Sequence, residues 1–281
     1  MREMNVSRIE AAVKQACREM AVYCSEDILK RLKQARDVEK DERSITAVEM
    51  LVENARIAEA EQIPLCQDTG MVTAYVHIGQ EVHLIGGSLR EAVMRGVSEG
   101  YTENYLRASV VKDPVFDRTN TRDNTPAVLY CDITEGEEVR IELTAKGFGS
   151  ENMSRIAMLK PAEGLEGVRQ FILDTIHRAG PNACPPMIVG VGIGGTFDQS
   201  AVMAKHALLR NLDEENPDEN YRALETELEE KANEMGIGPM GLGGRTTVLR
   251  ILIEHAPTHI AGLPCAVNIC CHACRHREVI L

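Results

Sequence analysis

Strand-like and helix-like segments are interleaved along this chain without strict alternation, and that order restricts its fold more than any other feature. The first sixty residues read as helices. Ile9, Val13, Ala16, Cys17 and Met20 recur at helical spacing beside a Ser7/Glu10 capping box. Ile28, Leu29, Leu32 and Ala35 mark a second helix, and Val48, Leu51, Val52 and Ala55 a third that fades before Ile63-Pro64. Strands then enter. Residues 71–78 and 82–85 flank Gly79-Gln80 and predict a hairpin or close strand pair, and 127–133 with 139–145 predict a second hairpin about Glu135-Gly136. Helices are expected from Ser88 with Glu91, over 165–176 up to Gly180-Pro181, and near 200–209 behind an apolar strand at 187–193. Glycines at 236, 238, 241, 243 and 244 precede a further strand-like run at 246–253. No internal repeat or low-complexity linker interrupts this order. The expected fold class is α/β (mixed α+β), one domain over 1–281 in which a helical N-terminal subdomain, 1–60, packs on a mixed-sheet domain.

Composition narrows the function. With 281 residues, 44% hydrophobic and 26% charged, the chain has room for a substantial core and lacks the signature of disorder. Its 31 Lys plus Arg against 43 Asp plus Glu give a net charge of -12, which disfavours nucleic acid as a partner. An anionic ligand must therefore meet a local cluster of cations. Arg2, Glu3, Arg8 and Glu10 break up any leader, and no run of apolar residues is long enough to span a membrane, so a cytoplasmic protein with no membrane partner is expected. In that compartment the 9 cysteines read as thiols or metal ligands.

Four turn-rich segments carry reactive groups: Pro64-Leu65-Cys66-Gln67-Asp68-Thr69-Gly70, Lys146-Gly147-Phe148-Gly149-Ser150-Glu151-Asn152, Ala183-Cys184-Pro185-Pro186, and residues 265–276. Gln67 and Asp68 suit a site better than an apolar core, which marks Cys66 as functional. The last segment gathers Cys265, Cys270, Cys271, His272, Cys274 and His276, ligand types for zinc or iron, but too crowded for the two spaced pairs of a simple zinc finger. Adjacent Cys270 and Cys271 point to opposite faces of an extended chain, so at most one faces a given site. Cys17, Cys24 and Cys131 read as buried inert thiols; His77, His83, His177 and His206 as structural or exposed; and the Glu-rich run 225–234 as a solvated helix face. Two other readings compete: a non-catalytic zinc-binding or interaction module built on the C-terminal Cys/His segment, and a nucleotide site on Gly190, Gly192 and Gly195, which match G-x-G-x-x-G.

Taken together, Cys66-Gln67-Asp68-Thr69-Gly70, the 146–152 and 183–186 segments, 236–247, and the end from His259 through Cys271 resemble the α subunit, or N-terminal catalytic half, of the iron–sulfur class I fumarate hydratases and related L-tartrate dehydratases. Phe148 departs from the all-glycine form of the second motif. The resemblance implies a hydro-lyase whose [4Fe–4S] cluster is held by Cys66, Cys184 and Cys271, leaving one iron open as a Lewis acid and the enzyme oxygen-sensitive. It also implies proton transfer assisted by Asp68, substrate contacts from Gln67, Arg107 and Gly149, and a catalytic role for His259. The substrate would be a small 2-hydroxy dicarboxylate, malate or tartrate. Because the chain ends soon after Cys271, it is expected to work with a separate β subunit in a hetero-oligomer. Cys265 and Cys274 have no counterpart in the pattern.

Overall fold

The computed structural model describes residues 1–281. In chain order it forms β1 (Arg2–Asn5), α1 (Val6–Val22), α2 (Glu26–Val38), α3 (Glu42–Glu61), β2 (Met71–Gly79), β3 (Val82–Ile85) and α4 (Leu89–Glu103). There follow β4 (Val128–Thr134), β5 (Val139–Lys146), the single turn α5 (Phe148–Glu151), β6 (Arg155–Leu159), α6 (Gly164–Ala179) and β7 (Met187–Gly194). The chain ends with α7 (Phe197–His206), α8 (Glu219–Glu234), β8 (Val248–Ala256), β9 (Leu263–Cys270) and β10 (His276–Ile280). The mixed α/β character expected from the sequence is present. Packing divides the chain into two compact units. Met1–Cys24, Ile57–Phe148 and Arg275–Leu281 form the first; Ser25–Arg56 and Gly149–Cys274 form the second. The helical lead-in is thus shared, α1 belonging to the first unit and α2 with most of α3 to the second.

The first unit holds a four-stranded sheet in the order β10-β5-β2-β4, antiparallel at the first two ladders and parallel at the third. Strands β2 and β5 alternate. Val72, Ala74 and Val76 with Val139, Ile141, Leu143 and Ala145 face one way and are buried under the apolar sides of α1 and α4. Thr73, Tyr75, His77, Arg140, Glu142 and Thr144 occupy the alternate positions, where His77 and Glu142 lie 2.9 Å apart. Neither expected hairpin forms: β3 pairs in parallel with β1, and β2 lies between β4 and β5. The apolar strand takes the buried central position, and its far end is bonded into the 134–138 turn through Gly79 N–Glu138 O, Gln80 N–Thr134 O and Glu81 N–Gly136 O. The cap of α1 is also displaced from Ser7, since the Asn5 side chain accepts from Ser7 N. Of the thiols read as buried, Cys17 is, but Cys24 is half-buried and Cys131 is exposed on β4.

The second unit holds the sheet β6-β9-β7-β8, again antiparallel, antiparallel, parallel. Every residue of β7 is buried. Met187, Val189, Val191 and Ile193 share an apolar cluster with α6 and α8, while Gly190 and Gly192 meet α7 on the other face. A Cβ at either glycine would fall inside contact distance of the carbonyl oxygen of Ala204 or Ser200. That close approach accounts for the glycine pattern as helix-on-strand packing. The Glu-rich face of α8 is a second correction. Glu225 is fully buried and accepts from Ile253 N, and Glu229, one turn on, accepts from Ile251 N. These carboxylates serve amides of the edge strand β8, with Arg210 and Arg250 as ion-pair partners.

Candidate functional site

In the first unit the Pro64–Gly70 stretch leads into β2, and its main chain is held group by group. Arg275 Nη1 donates to Asp68 O at 2.6 Å, Tyr101 Oη to Thr69 O at 2.8 Å, and Asn124 Nδ2 to Gly70 O at 2.9 Å. Tyr101 and Asn124 are buried, and burial pushes the Tyr101 phenol up, which keeps it a protonated donor. Gly70 has φ +83°, and a Cβ there would lie 2.8 Å from the backbone carbons of Ala145 and Lys146. The loop therefore rests directly on the end of β5, in register with Met71 opposite Lys146.

Asp68 is half-buried and ties two of the expected motifs together. Its Oδ1 accepts from Gly70 N at 3.0 Å and its Oδ2 from Phe148 N at 2.8 Å. Cys66 is half-buried beside it, and Gln67 is exposed. Thr69 Oγ1 donates to Arg107 O at 3.0 Å, which sets Arg107, exposed after α4, next to the same loop. Cys66, Gln67 and Asp68 thus sit on one anchored loop, to which the main chain of Arg107 is bonded. Lys146 and Arg275, both buried, place two cations at the end of β5 where this loop rests. Both fall in segments named from the sequence, 146–152 and 265–276, but neither is given a role there. A single Arg between Cys274 and His276 has no periodicity, and its contact with Asp68 spans 207 positions.

The second unit carries Gly149, Cys184, His259 and Cys271. Cys184 is exposed in a left-handed conformation, φ 50° and ψ 63°, after a short 3-10 turn. Its carbonyl accepts from His272 Nδ1 at 3.0 Å, and burial lowers the His272 pKa. Cys271 directly precedes that histidine and is half-buried. Ile188 of β7 is paired with Cys270, so Cys184 and Cys271 lie at one end of the β7–β9 ladder. Met240 N bonds to Pro185 O at 2.7 Å, which brings the 236–244 glycine loop to the same end. Glu39 clamps that loop from the far side through Arg245 N and Thr246 N.

The other expected residues stand apart from this pair of loops. His259 is exposed in the β8–β9 turn, where its Nδ1 accepts from Ala261 N at 3.2 Å, leaving Nε2 as the N–H of the neutral ring. Gly149 is exposed, and a Cβ there would meet nothing within 4 Å. Nearby Glu151 pairs with Lys205 at 2.5 Å and with Asn268 Nδ2 at 3.1 Å.

The cysteines fall into two classes. Cys17, Cys265, Cys270 and Cys274 are buried, with Cys17 and Cys265 pushed up to about 12 by loss of hydration. The accessible class holds Cys66, Cys184 and Cys271 at strand-entry or strand-exit loops, together with half-buried Cys24 after α1 and exposed Cys131 within β4. Soft, accessible thiols suit an iron–sulfur group, and buried protonated ones do not. No three His, Cys, Asp or Glu side chains converge as a ready-made ion site. In the C-terminal segment Cys265 packs in the apolar cluster and Cys274 Sγ lies 3.8 Å from Leu208 O, so the two are spent on separate contacts. No helix is long and apolar enough to cross a membrane.

Residues 10–280 match the family profile described as fumarate hydratase (Fumerase). A putative L(+)-tartrate dehydratase subunit alpha from Methanocaldococcus jannaschii is 41% identical over 272 residues, 95% of each chain. The L(+)-tartrate dehydratase subunit alpha of Escherichia coli K12 is 33% identical over 260 residues, covering 91% of this chain and 85% of its own. That of Escherichia coli UTI89 is 34% identical over 254 residues, covering 89% and 83%. With its motif loops in place and the match running through nearly its whole length, the chain belongs to the fumarate hydratase family of hydro-lyases.

Proposed function

We propose that this chain is the α subunit of a two-chain, cytoplasmic hydro-lyase that removes water from a small 2-hydroxy dicarboxylate, with a [4Fe–4S] cluster held by Cys66, Cys184 and Cys271. The observation that carries this reading is the junction at Asp68, whose carboxylate joins the Cys66 loop to the end of β5 in a chain of this family. The partial accessibility of Cys271 against the burial of Cys270 supports Cys271 as the third ligand. When bound, the cluster supplies a Lewis acid at its open iron. The protein must do the rest.

Dehydration takes a proton from one carbon and a hydroxide from its neighbour, and the two leave together as water. Asp68 is the group proposed to move the proton, its orientation fixed by amide donors on both oxygens. Gln67 offers an amide to a hydroxyl or carboxylate, and the Arg107 fork suits a carboxylate bidentately. The open surroundings of Gly149 let an anion approach its backbone. His259 offers Nε2–H to the substrate. A β subunit would complete the site and hold the second substrate end. Tartrate dehydratase names among the relatives make L(+)-tartrate the first substrate to assay, with malate beside it.

The test is iron and acid-labile sulfide per chain after anaerobic purification, followed by turnover with the β subunit present. About four of each per chain are expected. Exposure to air should abolish turnover, and ferrous iron with thiol should restore it. Stoichiometric zinc without sulfide would overturn the reading in favour of a zinc module.

A further inference from the structure

Arg275 is 3% exposed, and both of its hydrogen bonds end on main-chain carbonyls rather than on a carboxylate: Nη1 to Asp68 O at 2.6 Å and Nε to Ala145 O at 3.1 Å. Burying a guanidinium costs hydration that two neutral carbonyls only partly return, so its placement calls for a reason. The two carbonyls belong to the two segments that Asp68 bridges. One is the loop that carries Asp68, and the other is the end of β5 before Gly147 and Phe148, the residue whose amide the Asp68 carboxylate accepts. A Cβ on Gly147 would lie 3.2 Å from Asp68 Oδ2 and 3.4 Å from Arg275 Nη2, which puts guanidinium, carboxylate and the Gly147 backbone in one layer. The Arg275 carbonyl in turn accepts from Ala145 N at 3.1 Å and from Thr144 Oγ1 at 2.9 Å, so main chain and side chain of this residue are both bonded to the end of β5.

We propose that Arg275 is the positioning residue of the hydro-lyase reaction, its planar fork spanning Asp68 O and Ala145 O and so fixing the angle at which the Asp68 carboxylate faces the substrate. The proposal rests on the role given to Asp68 above. A lysine places one compact ammonium where the fork bridges two acceptors, so it cannot keep both bonds at this geometry. Arg275 acts through Asp68 and touches no substrate.

The experiment uses the α chain assembled with its β subunit and compares wild type, Arg275→Lys, Arg275→Ala and Asp68→Asn. Misplacing a catalytic group by about 1 Å costs on the order of 100-fold, so kcat should fall by about that factor in both Arg275 variants while KM and iron content stay near wild type. Added methylguanidinium should restore part of the lost kcat in Arg275→Ala and none in Asp68→Asn. Hydrogen exchange should quicken in peptides covering 66–70 and 146–149 and stay unchanged in β7. A kcat close to wild type in both variants would overturn the proposal, as would a loss of kcat that tracks lost iron and sulfide. If wild type itself shows no hydro-lyase turnover, the functional reading fails, and the exchange data still decide the pin: unchanged exchange at 66–70 and 146–149 would overturn it.

Discussion

The two sheets are built on one plan and furnished differently at the same corner. In each, the strand that lies inside the sheet and pairs in parallel with the edge, β2 or β7, is entered through a loop bearing a cysteine, Cys66 or Cys184. In each, the antiparallel neighbour ends beside that entry, Lys146 opposite Met71 and Cys270 opposite Ile188. The first unit fills its corner with Asp68, Lys146 and Arg275, and the second with Cys184, Cys271 and His272. In both units an entry loop meets the end of the neighbouring antiparallel strand, a place where loop residues are held by a rigid sheet. The side chains there decide whether it handles charge or offers thiols.

The sharpest way to separate the two corners is to damage each alone. Asp68→Asn removes the proposed proton-handling group and should lower kcat by about 10²–10⁴-fold with iron content unchanged. Cys184→Ala should lose the iron as well as the activity. Iron and sulfide analysis beside turnover distinguishes the two, and a cluster that survives Cys184→Ala would break the assignment of Cys184 as a ligand.

The sheets also differ in how they treat buried carboxylates. Glu225→Ala in the second unit strands Ile253 N, Arg210 and Asn216 without their acceptor and should cost about 3–5 kcal/mol. Glu142→Gln, beside His77 on the polar face of the first sheet, should cost only about 0.5–1.5 kcal/mol. Equilibrium denaturation reads both, and similar costs would mean that the edge of the second sheet does not depend on its buried acid. Gly192→Ala comes next: it pushes a Cβ into the Ser200 carbonyl and should cost about 1–3 kcal/mol, whereas Gly149→Ala, in open space, should leave stability unchanged.

These contrasts show which parts of the molecule were legible in its sequence. Helical spacing located α1, α2 and α6, and an unbroken apolar run located β7, because burial leaves a period that any neighbour would produce. Strand partners left no such trace. Adjacency along the chain suggested two hairpins, and β2 instead took the centre between β4 and β5. Glu225 and Glu229 looked solvated because a run of acids on a helix usually is, and the edge amides that recruit them lie on a distant strand. At the site, Cys66, Gln67 and Asp68 were visible as a motif in one loop. Arg275 was not, since its partners are far away in sequence and are main-chain atoms, which carry no residue signature.

The mildest test perturbs nothing and compares a core thiol with a loop thiol in each unit. Cys17 is buried between α1 and α4 in the first unit, and Cys265 lies in the apolar cluster of the second; burial has pushed both up to about 12. At pH 8 a thiol with that pKa is thiolate in only about one molecule in 10⁴, and the thiolate is what an alkylating reagent attacks. Of these four thiols Cys184, exposed, should label first in metal-free protein, ahead of Cys66, and both should precede Cys17 and Cys265. Peptide mapping after timed iodoacetamide treatment gives the order directly. Raising the pH toward 10 multiplies the thiolate fraction of the core thiols, yet access still limits them, so they should remain slow until the fold opens. Labelling of Cys265 at the rate of Cys184 would show that the second corner is no more accessible than the core behind it, and the division between holding thiols and packing thiols would fall.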